Sequence, residues 1–332
     1  MKTALLIPSL SLIELEEEFN YILNCEYLRV NGVYSIDSGV PGPVLGITMN
    51  THGNEPSGLA TSRYLRQNFN SLKKGKIIFV LNNLKATNLY FEAQHVTDPV
   101  LRDILKDKSR EFELNMNRLP SDSISNADYH QYEILRAKEL LPIWEKFDVA
   151  LDIHSATQDS PMIVACGDIH WNLIKGFPIS NIISNITNVQ INKPAIHFYG
   201  NKSDVVRLGI ESGSHENSSS FERSIQSCLA LLVNLGMIED KYFLLSPDQY
   251  KHYKVVNSVM FEDSSYMLTE IFKTFALIEK GRVIGVSETK PNIISPINGH
   301  TLFAKSQLKP TSILEEILFI SEPVIIETTP QP

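Results

Sequence analysis

The stretch Thr51-His52-Gly53-Asn54-Glu55-Pro56 decides the interpretation of this chain. It follows the apolar segment 43–49, which is typical of a short buried strand, and it precedes segment 57–69, which is typical of a helix. Ligands in open α/β sheets gather outside the carboxyl ends of strands. His52 and Glu55 therefore stand where an imidazole and a carboxylate can converge on one point. Two histidines and a glutamate form one of the sets that hold a catalytic zinc while leaving a coordination position open.

Length and composition indicate an acidic globular protein. The 332 residues suit one large or two medium domains. A hydrophobic content of 43% and a charged content of 20% are ordinary for a chain that buries a sizeable core. The formal net charge of −8 argues against nonspecific binding to nucleic acid or to an anionic membrane. We therefore expect neither nucleic acid nor a membrane as a partner.

Targeting segments are not predicted. The apolar start, residues 1–10, contains Pro8 and leads into the acidic segment 14–18 without a small-residue cleavage site, so we interpret it as mature sequence. No apolar run reaches the length of a membrane span. The three cysteines lie far apart and form no C-x-x-C motif: Cys25, Cys166 and Cys228. We expect a reduced, cytoplasmic protein, and the choice between a monomer and a homo-oligomer stays open.

Strands alternate with helices through the first two thirds of the chain. This alternation predicts an α/β fold with a mostly parallel sheet flanked by helices. Segment 83–128 is the exception, because it is rich in Asn, Asp and Ser and is predicted to be long and irregular. The predicted helices are 12–23, 57–69, 129–147 with a kink at Pro142, and 221–235. The predicted strands are 27–30, 32–36, 43–49, 76–82, 148–154, 161–166 and 205–211.

The pattern changes near Gly236, where short β-like runs and turns begin. The runs lie at 253–256, 275–278, 282–285, 293–296 and 300–304, and the pair Asn298-Gly299 before the last run predicts a hairpin. We predict a first domain at 1–241 that carries the site. A smaller C-terminal all-β domain at 242–332 is expected to shape the entrance to that site.

Three further polar stretches complete a pattern with His52 and Glu55. The first is Asn115-Met116-Asn117-Arg118 in the irregular segment. The second is Asp152-Ile153-His154 at the end of a predicted strand, and the third is Gly209-Ile210-Glu211-Ser212-Gly213, again at a strand end. Because parallel strands end at the same edge of a sheet, we expect all of these residues to lie close together.

Their chemistry is coherent with metal-assisted hydrolysis. His52, Glu55 and His154 would bind Zn²⁺, which polarises a carbonyl and lowers the pKa of a bound water toward roughly 7. Glu211 would be the general base that takes a proton from this water and passes it to the leaving amine. Glu211 would therefore lie beside the bound zinc.

Other residues of the pattern suit substrate binding and ligand orientation. Arg118 would pair with a substrate carboxylate through two parallel hydrogen bonds, and Asn117 beside it can bind the same group. Asp152 lies two residues before His154 on the same face of a strand. It would orient this histidine from outside the coordination shell.

The four stretches resemble the succinylglutamate desuccinylase/aspartoacylase family, which is similar to zinc carboxypeptidases. The family pattern is H-G-N-E, then D-x-N-R, then D-x-H, then E-x-G, and the match covers most of 44–215. The β-rich tail fits the family's C-terminal domain. The resemblance implies one zinc per chain at His52, Glu55 and His154, with Glu211 as base or acid. It also implies hydrolysis of the amide bond of a small N-acyl amino acid.

Two details of the resemblance concern Arg110 and Asn115, and a separate observation concerns His215. Arg110 lies eight residues before Arg118, at the offset of a substrate-binding arginine in similar aspartoacylases. Asn115 stands where the family pattern has an aspartate, which leaves open the role of a carboxylate at that position and leaves Asn117 intact. His215 follows Glu211 closely enough to line the site.

Two alternatives stay open beside the zinc-dependent deacylase. One is a metallocarboxypeptidase that acts on peptides, which an open cleft would favour over a narrow pocket. The other is a non-catalytic relative that binds a ligand, and the presence of all four residues His52, Glu55, His154 and Glu211 argues against it. The sequence does not identify the acyl group, and a site of this kind can also take cobalt or manganese.

Overall fold

A computed structural model describes residues 3–4, 7, 9–69, 72–200, 202–240, 242–243, 246–305, 307–308 and 316–325. The chain divides into two compact units. The first comprises Met1–Ser180 and Asn192–Asp248, and the second comprises Asn181–Ile191 and Gln249–Pro332. The second unit thus includes a short internal segment that lies inside the predicted first domain. Within the predicted domain at 242–332, residues 244–245, 306, 309–315 and 326–332 lie outside the described residues.

Helices and strands alternate as predicted. Within the described residues the α-helices are α1 (Leu12–Leu23), α2 (Ser57–Asn68), α3 (Leu84–Gln94), α4 (Pro99–Lys108), α5 (Tyr132–Trp144), α6 (Trp171–Ile174), α7 (Ile186–Val189) and α8 (Ser218–Asn234). Short 3₁₀ turns lie at Met116–Arg118 and Ala195–Phe198. The strands are β1 (Thr3–Ala4), β2 (Glu26–Tyr27), β3 (Val30–Asn31), β4 (Val33–Asp37), β5 (Val44–Met49), β6 (Lys76–Leu81), β7 (Val149–Ala156), β8 (Met162–Ala165), β9 (Asn181–Ser184), β10 (Val206–Ser214), β11 (Tyr242–Phe243), β12 (Lys251–Val259), β13 (Met267–Leu268), β14 (Leu277–Ile278), β15 (Val283–Val286), β16 (Ile293–Ile294), β17 (Gly299–Leu302) and β18 (Leu318–Val324).

The sheet of the first unit is mostly parallel, which confirms the predicted fold class. Its strands follow the order β8-β10-β7-β5-β6-β4. The three central pairs, β10 with β7, β7 with β5 and β5 with β6, are parallel. The outer pairs, β8 with β10 and β4 with β6, are antiparallel. The carboxyl ends of β5, β7 and β10 therefore meet at one edge.

Helices cover both faces of this sheet. On one face a Cβ at Gly46 would lie 2.3 Å from the ring of Phe147, just after α5, so the absence of a side chain lets α5 pack closely. On the other face a Cβ at Gly58 in α2 would lie 2.2 Å from Cβ of Met49. Because strand residues alternate between faces, Gly46 and Met49 point to opposite sides. The strand β5 is thus covered by α5 on one face and by α2 on the other, as its apolar sequence predicts.

The predicted irregular segment 83–128 is wrong in its first half. Helices α3 and α4 occupy most of 84–108. Asn83 begins α3 by accepting a hydrogen bond from the amide of Ala86. Asp98 begins α4 by accepting from the amides of Val100 and Leu101. Asn and Asp are favoured both in loops and at helix starts, and their presence alone did not separate the two.

One strand is longer than predicted and bears on the site. The predicted strand 205–211 continues as β10 to Ser214. Its register against β7 shifts between Glu211 and Ser214, with Gly213 at φ +123°. Such a bulge changes the direction of the side chains that follow it.

The second unit is built mainly from antiparallel strands. Its larger sheet has the order β14-β17-β18-β12-β9, in which only β12 with β9 is parallel among the described residues. A smaller antiparallel sheet has the order β13-β15-β16. The hairpin predicted at Asn298-Gly299 is wrong, because β16 pairs with β15 whereas β17 pairs with β14 and β18.

No helix in the described part of the chain is long and apolar enough to cross a membrane.

Candidate active site

The turn between β5 and α2 carries His52 and Glu55. The amide of Gly53 inside this turn donates to the carbonyl of Arg110 at 3.0 Å. A Cβ at Gly53 would lie 2.3 Å from the backbone carbonyl of Ala86, which leaves no room for a side chain. Close packing against α3 and against the segment after α4 therefore holds the turn in place.

Three buried side chains converge at this edge of the sheet. Ligand atoms of His52, Glu55 and His154 all lie within 4.8 Å of one another. Nδ1 of His52 lies 2.7 Å from Oε1 of Glu55, and Nδ1 of His154 lies 2.8 Å from Oε2 of the same carboxylate. The three residues predicted to bind zinc are therefore together, with both imidazoles turned toward one carboxylate.

The outer nitrogens of both imidazoles face oxygen atoms of neighbouring side chains. Nε2 of His154 lies 3.1 Å from Oδ2 of Asp152, as expected from their spacing. Asp152 is itself oriented by Thr48, whose hydroxyl donates to Oδ1 at 2.7 Å. Nε2 of His52 lies 3.0 Å from Oδ1 of Asn115. Nδ1 atoms directed inward and Nε2 atoms held from outside are an arrangement that fits a divalent metal such as zinc.

Burial and neighbouring charges shift the pKa values of this set. Burial, together with the positive charge of Arg110, lowers the pKa of His52 to about 4. Burial would also lower the pKa of His154, but the carboxylates of Asp152 and Glu55 outweigh it and raise that pKa well above its usual range. Burial alone would raise the pKa of Glu55, yet the two imidazoles favour its anion and hold the pKa well below normal. The carboxylate is thus available as a ligand.

Glu211 lies beside the candidate metal ligands. It is the paired residue of His154 across β10 and β7. Its Oε2 is buried and has no hydrogen-bond partner among the described residues. Burial raises the pKa of Glu211 to about 8, with the charge of His154 opposing the shift and that of Glu55 adding to it. A carboxyl with a pKa near neutrality can both accept and release a proton at physiological pH.

The structure places Arg110 and Asn117 next to the same set. Arg110 donates to Oε1 of Glu55 at 2.9 Å, and its second terminal nitrogen lies 2.9 Å from Nε2 of His52. Nδ2 of Asn117 lies 3.4 Å from Nε2 of His154. Arg118 is partly buried and donates to the carbonyl of Asn117 at 2.8 Å. Arg110 therefore contacts His52 and Glu55 directly, and Arg118 hydrogen-bonds the main chain of Asn117, whose side chain lies near His154.

Two features were only partly visible in the sequence. Asn115, noted as a departure from the family pattern, accepts a hydrogen bond from the amide of Asn117 at 2.9 Å and contacts His52. Nδ1 of His215 lies 2.8 Å from the hydroxyl of Ser155, whose amide donates to Glu55 at 3.2 Å. Burial lowers the pKa of His215. His215 follows the register shift in β10 after Glu211, and its contact with Ser155 places it near Glu55.

One residue of the site was missed entirely. Glu133 is completely buried and accepts hydrogen bonds from backbone amides of the segment that leads from Arg110 to Asn115. Its donors are mostly main-chain groups, which any residue type supplies. No spacing of polar residues in the sequence could therefore have revealed it.

These features define an α/β protein with a candidate metal centre at the carboxyl ends of parallel strands. Residues 41–175 match the family model described as the succinylglutamate desuccinylase/aspartoacylase catalytic domain. The resemblance noted in the sequence is confirmed. No curated protein matches the chain.

Several solved structures share the fold over nearly the whole chain. The succinylglutamate desuccinylase of Chromobacterium violaceum is 14% identical with a TM-score of 0.63, covering 95% of this chain and 98% of its own. The succinylglutamate desuccinylase of Vibrio cholerae is 14% identical with a TM-score of 0.63, covering 92% and 94%. A product-bound structure of the ectoine utilization protein EutE (DoeB) of Ruegeria pomeroyi is 16% identical with a TM-score of 0.59, covering 87% and 88%. At these identities the likeness establishes the fold.

Proposed function

We propose that this protein is a zinc-dependent deacylase that hydrolyses the amide bond of small N-acyl amino acids. The observation that carries the proposal is the convergence of His52, Glu55 and His154, with Glu211 paired to His154 on the adjacent strand. The family of residues 41–175 supports a deacylase. Zinc held by the three ligands supplies a Lewis acid for the amide carbonyl and lowers the pKa of the attacking water.

Glu211 moves the proton in the proposed reaction. One of its carboxylate oxygens takes a proton from the attacking water, and the same group then delivers that proton to the nitrogen of the leaving amine. Its Oε2 is buried and has no hydrogen-bond partner among the described residues, so this oxygen is available to accept the proton. The raised pKa of Glu211, about 8, suits both halves of this transfer.

The substrate is held by residues of the segment that follows α4. Arg118 binds the carboxylate of the amino acid part, and the side-chain amide of Asn117 binds the same group. Arg110 stands closer to the metal ligands and stabilises the negative charge that develops on the amide oxygen. Desuccinylases among the solved structures of the same fold support an acylated amino acid as the substrate class.

The test combines metal analysis with a panel of N-acyl amino acids that carry succinyl, acetyl and longer acyl groups. Wild-type protein should hold about one zinc per chain and hydrolyse at least one panel member. Glu211→Gln should keep the zinc and lose activity by about 10²-fold or more. The matched control is Glu222→Gln, the same chemical change at an exposed position of α8, which should behave as wild type.

Other results would favour the two alternatives. Release of the C-terminal residue from unmodified peptides, without hydrolysis of the panel, would identify a metallocarboxypeptidase. Zinc bound without turnover of either substrate class would identify a non-catalytic ligand-binding relative. A chain that retains no metal under any loading condition would contradict the assignment of His52, Glu55 and His154.

We also propose a cytoplasmic location and a small molecule as the only partner that catalysis needs. Cys25, Cys166 and Cys228 are free thiols, which suits a reducing compartment. Fractionation of the source cells tests the location, and recovery of the protein in an extracytoplasmic or membrane fraction would contradict it.

A further inference from the structure

Glu133 lies at the start of α5 and is completely buried. Its Oε1 accepts from the side-chain amide of Asn83 at 3.1 Å and from the amide of Phe112 at 2.7 Å. Its Oε2 accepts from the amide of Leu114 at 3.0 Å, and both oxygens accept from the amide of Glu113 at 3.2 Å. One carboxylate thus binds three successive backbone amides.

These hydrogen bonds fix the backbone at 112–114. A buried carboxylate is costly unless its oxygens are satisfied, and all of its recorded donors here are neutral groups. The side chain of Glu113 is exposed, and Phe112 adds one ring contact, edge-on to Tyr132 at 5.5 Å between centroids, so the carboxylate supplies the hydrogen bonds and Phe112 an aromatic contact to the same end of α5. The carboxylate of Glu113 accepts in return from the amide of Tyr132 at 2.5 Å, which clamps the segment to the start of α5 from both sides.

The clamped segment carries the residues that contact His52. Arg110 lies two residues before Phe112, and Asn115 follows Leu114 directly. Both of them touch the same atom, since Nη2 of Arg110 and Oδ1 of Asn115 lie 2.9 and 3.0 Å from Nε2 of His52. A shift of the backbone at 112–114 would move both contacts together.

We infer that Glu133 is the positioning residue that sets Arg110 and Asn115 against His52 and, through the same segment, presents Asn117 and Arg118 to the substrate. The inference about substrate rests on the proposed function. The inference about metal retention rests on the proposed zinc site as well, whereas the inference about the loop depends only on the contacts described.

The first test is Glu133→Gln, which keeps the size of the side chain. One oxygen becomes an NH₂ group that must face a backbone N–H, so at least one hydrogen bond is replaced by donor-to-donor repulsion. We expect zinc affinity, measured by competition with a chelator, to fall by about tenfold. We expect KM to rise by about tenfold. The matched control is Glu145→Gln at the exposed C-terminal end of the same helix, which makes the same chemical change away from the loop and should match wild type.

A double-mutant cycle separates positioning from general destabilisation. If Glu133 acts on KM by presenting Arg118 to the substrate, then Glu133→Gln should raise KM much less in an Arg118→Ala background than in wild type. Equal effects in the two backgrounds would overturn the positioning role. Wild-type zinc affinity and KM in the folded Glu133→Gln protein would overturn it as well.

Hydrogen exchange provides a measurement on the wild-type protein that needs no variant. The amides of Phe112, Glu113 and Leu114 should exchange at least about tenfold more slowly than unprotected amides, although two of these residues are exposed. Unprotected exchange at all three would overturn the inference even if Glu133→Gln failed to fold. Should wild type hydrolyse nothing in the panel, the proposed function fails, while exchange and zinc affinity still decide the role of Glu133.

Discussion

Glu211 and His154 are paired residues on adjacent parallel strands, β10 and β7, and their side chains leave the same face of the sheet. Because parallel strands carry this pairing in their backbone hydrogen bonds, the distance between the two side chains does not depend on a flexible loop. The proposed general base is therefore held next to a proposed metal ligand by the backbone pairing of two central strands. The positions of His52 and Glu55, in contrast, depend on how the turn between β5 and α2 packs.

Substitution Glu211→Gln should stabilise the metal-free protein at neutral and alkaline pH. Burial raises the folded pKa of Glu211 to about 8 from an ordinary value of 4.5. A carboxyl with a raised folded pKa contributes stability that is fully present below the unfolded pKa and is lost as pH rises through the folded pKa. After chelator treatment, the free energy of unfolding of wild type should fall between about pH 5 and 8 relative to the variant. Urea titrations at several pH values measure this, and parallel curves for the two proteins would contradict it.

Asp152→Asn should weaken zinc binding. Oδ1 of the new amide can still accept from Thr48, but its NH₂ group then faces Nε2 of His154, where the structure has a carboxylate oxygen. The ring loses its acceptor and its fixed orientation, and we expect the zinc dissociation constant to rise by about tenfold or more. Chelator competition measures this constant. Asp148→Asn is the control, because Asp148 lies just before the same strand and binds Lys202 and the amide of Val44. Equal losses in both variants would argue against the role of Asp152.

Asn115→Asp should strengthen zinc binding. It would place a carboxylate oxygen where Oδ1 of Asn115 now lies 3.0 Å from Nε2 of His52, and an anionic acceptor increases the basicity of a ligating imidazole. The new side chain can still accept from the amide of Asn117. We expect the zinc dissociation constant to fall by about tenfold. Asn126→Asp adds the same charge at a partly exposed position and should leave the constant unchanged. Unchanged or weaker binding in Asn115→Asp would count against Asn115 as the outer partner of His52.

Arg118→Ala should raise KM for N-acyl amino acids, and Arg118→Lys should raise it by a smaller factor. Loss of the charged hydrogen bonds between Arg118 and the substrate carboxylate should raise KM by roughly 10- to 100-fold. Lysine keeps the positive charge but lacks the two parallel donors of arginine, so its effect should be smaller. The same variants should differ little from wild type on carboxamide analogues that lack the substrate carboxylate. Zinc content should stay unchanged, and Arg282→Ala, an exposed arginine of the second unit, should match wild type. Equal effects on acids and carboxamides would refute carboxylate binding by Arg118.

Much of the fold could be predicted because apolar periodicity marks buried strands. The strand before His52 and the strand that ends near His154 were predicted within two residues of their observed bounds. The ends of such strands meet at one edge of a parallel sheet, so polar residues that follow them are brought together. Helices α3 and α4 were missed for a physical reason, since Asn83 and Asp98 serve as helix caps here but are equally common in loops.

The order of residues was enough to identify the candidate metal ligands, His52, Glu55 and His154, because their residue types and their positions after apolar strands specify both the chemistry and the place. The folded structure was needed to show that Glu133 holds the segment between Arg110 and Asn115. It alone also decided that Asn181–Ile191 belongs to the second compact unit. The reason is that a backbone amide is the same donor in almost every residue, so a contact made to the main chain leaves no pattern in the order of side chains.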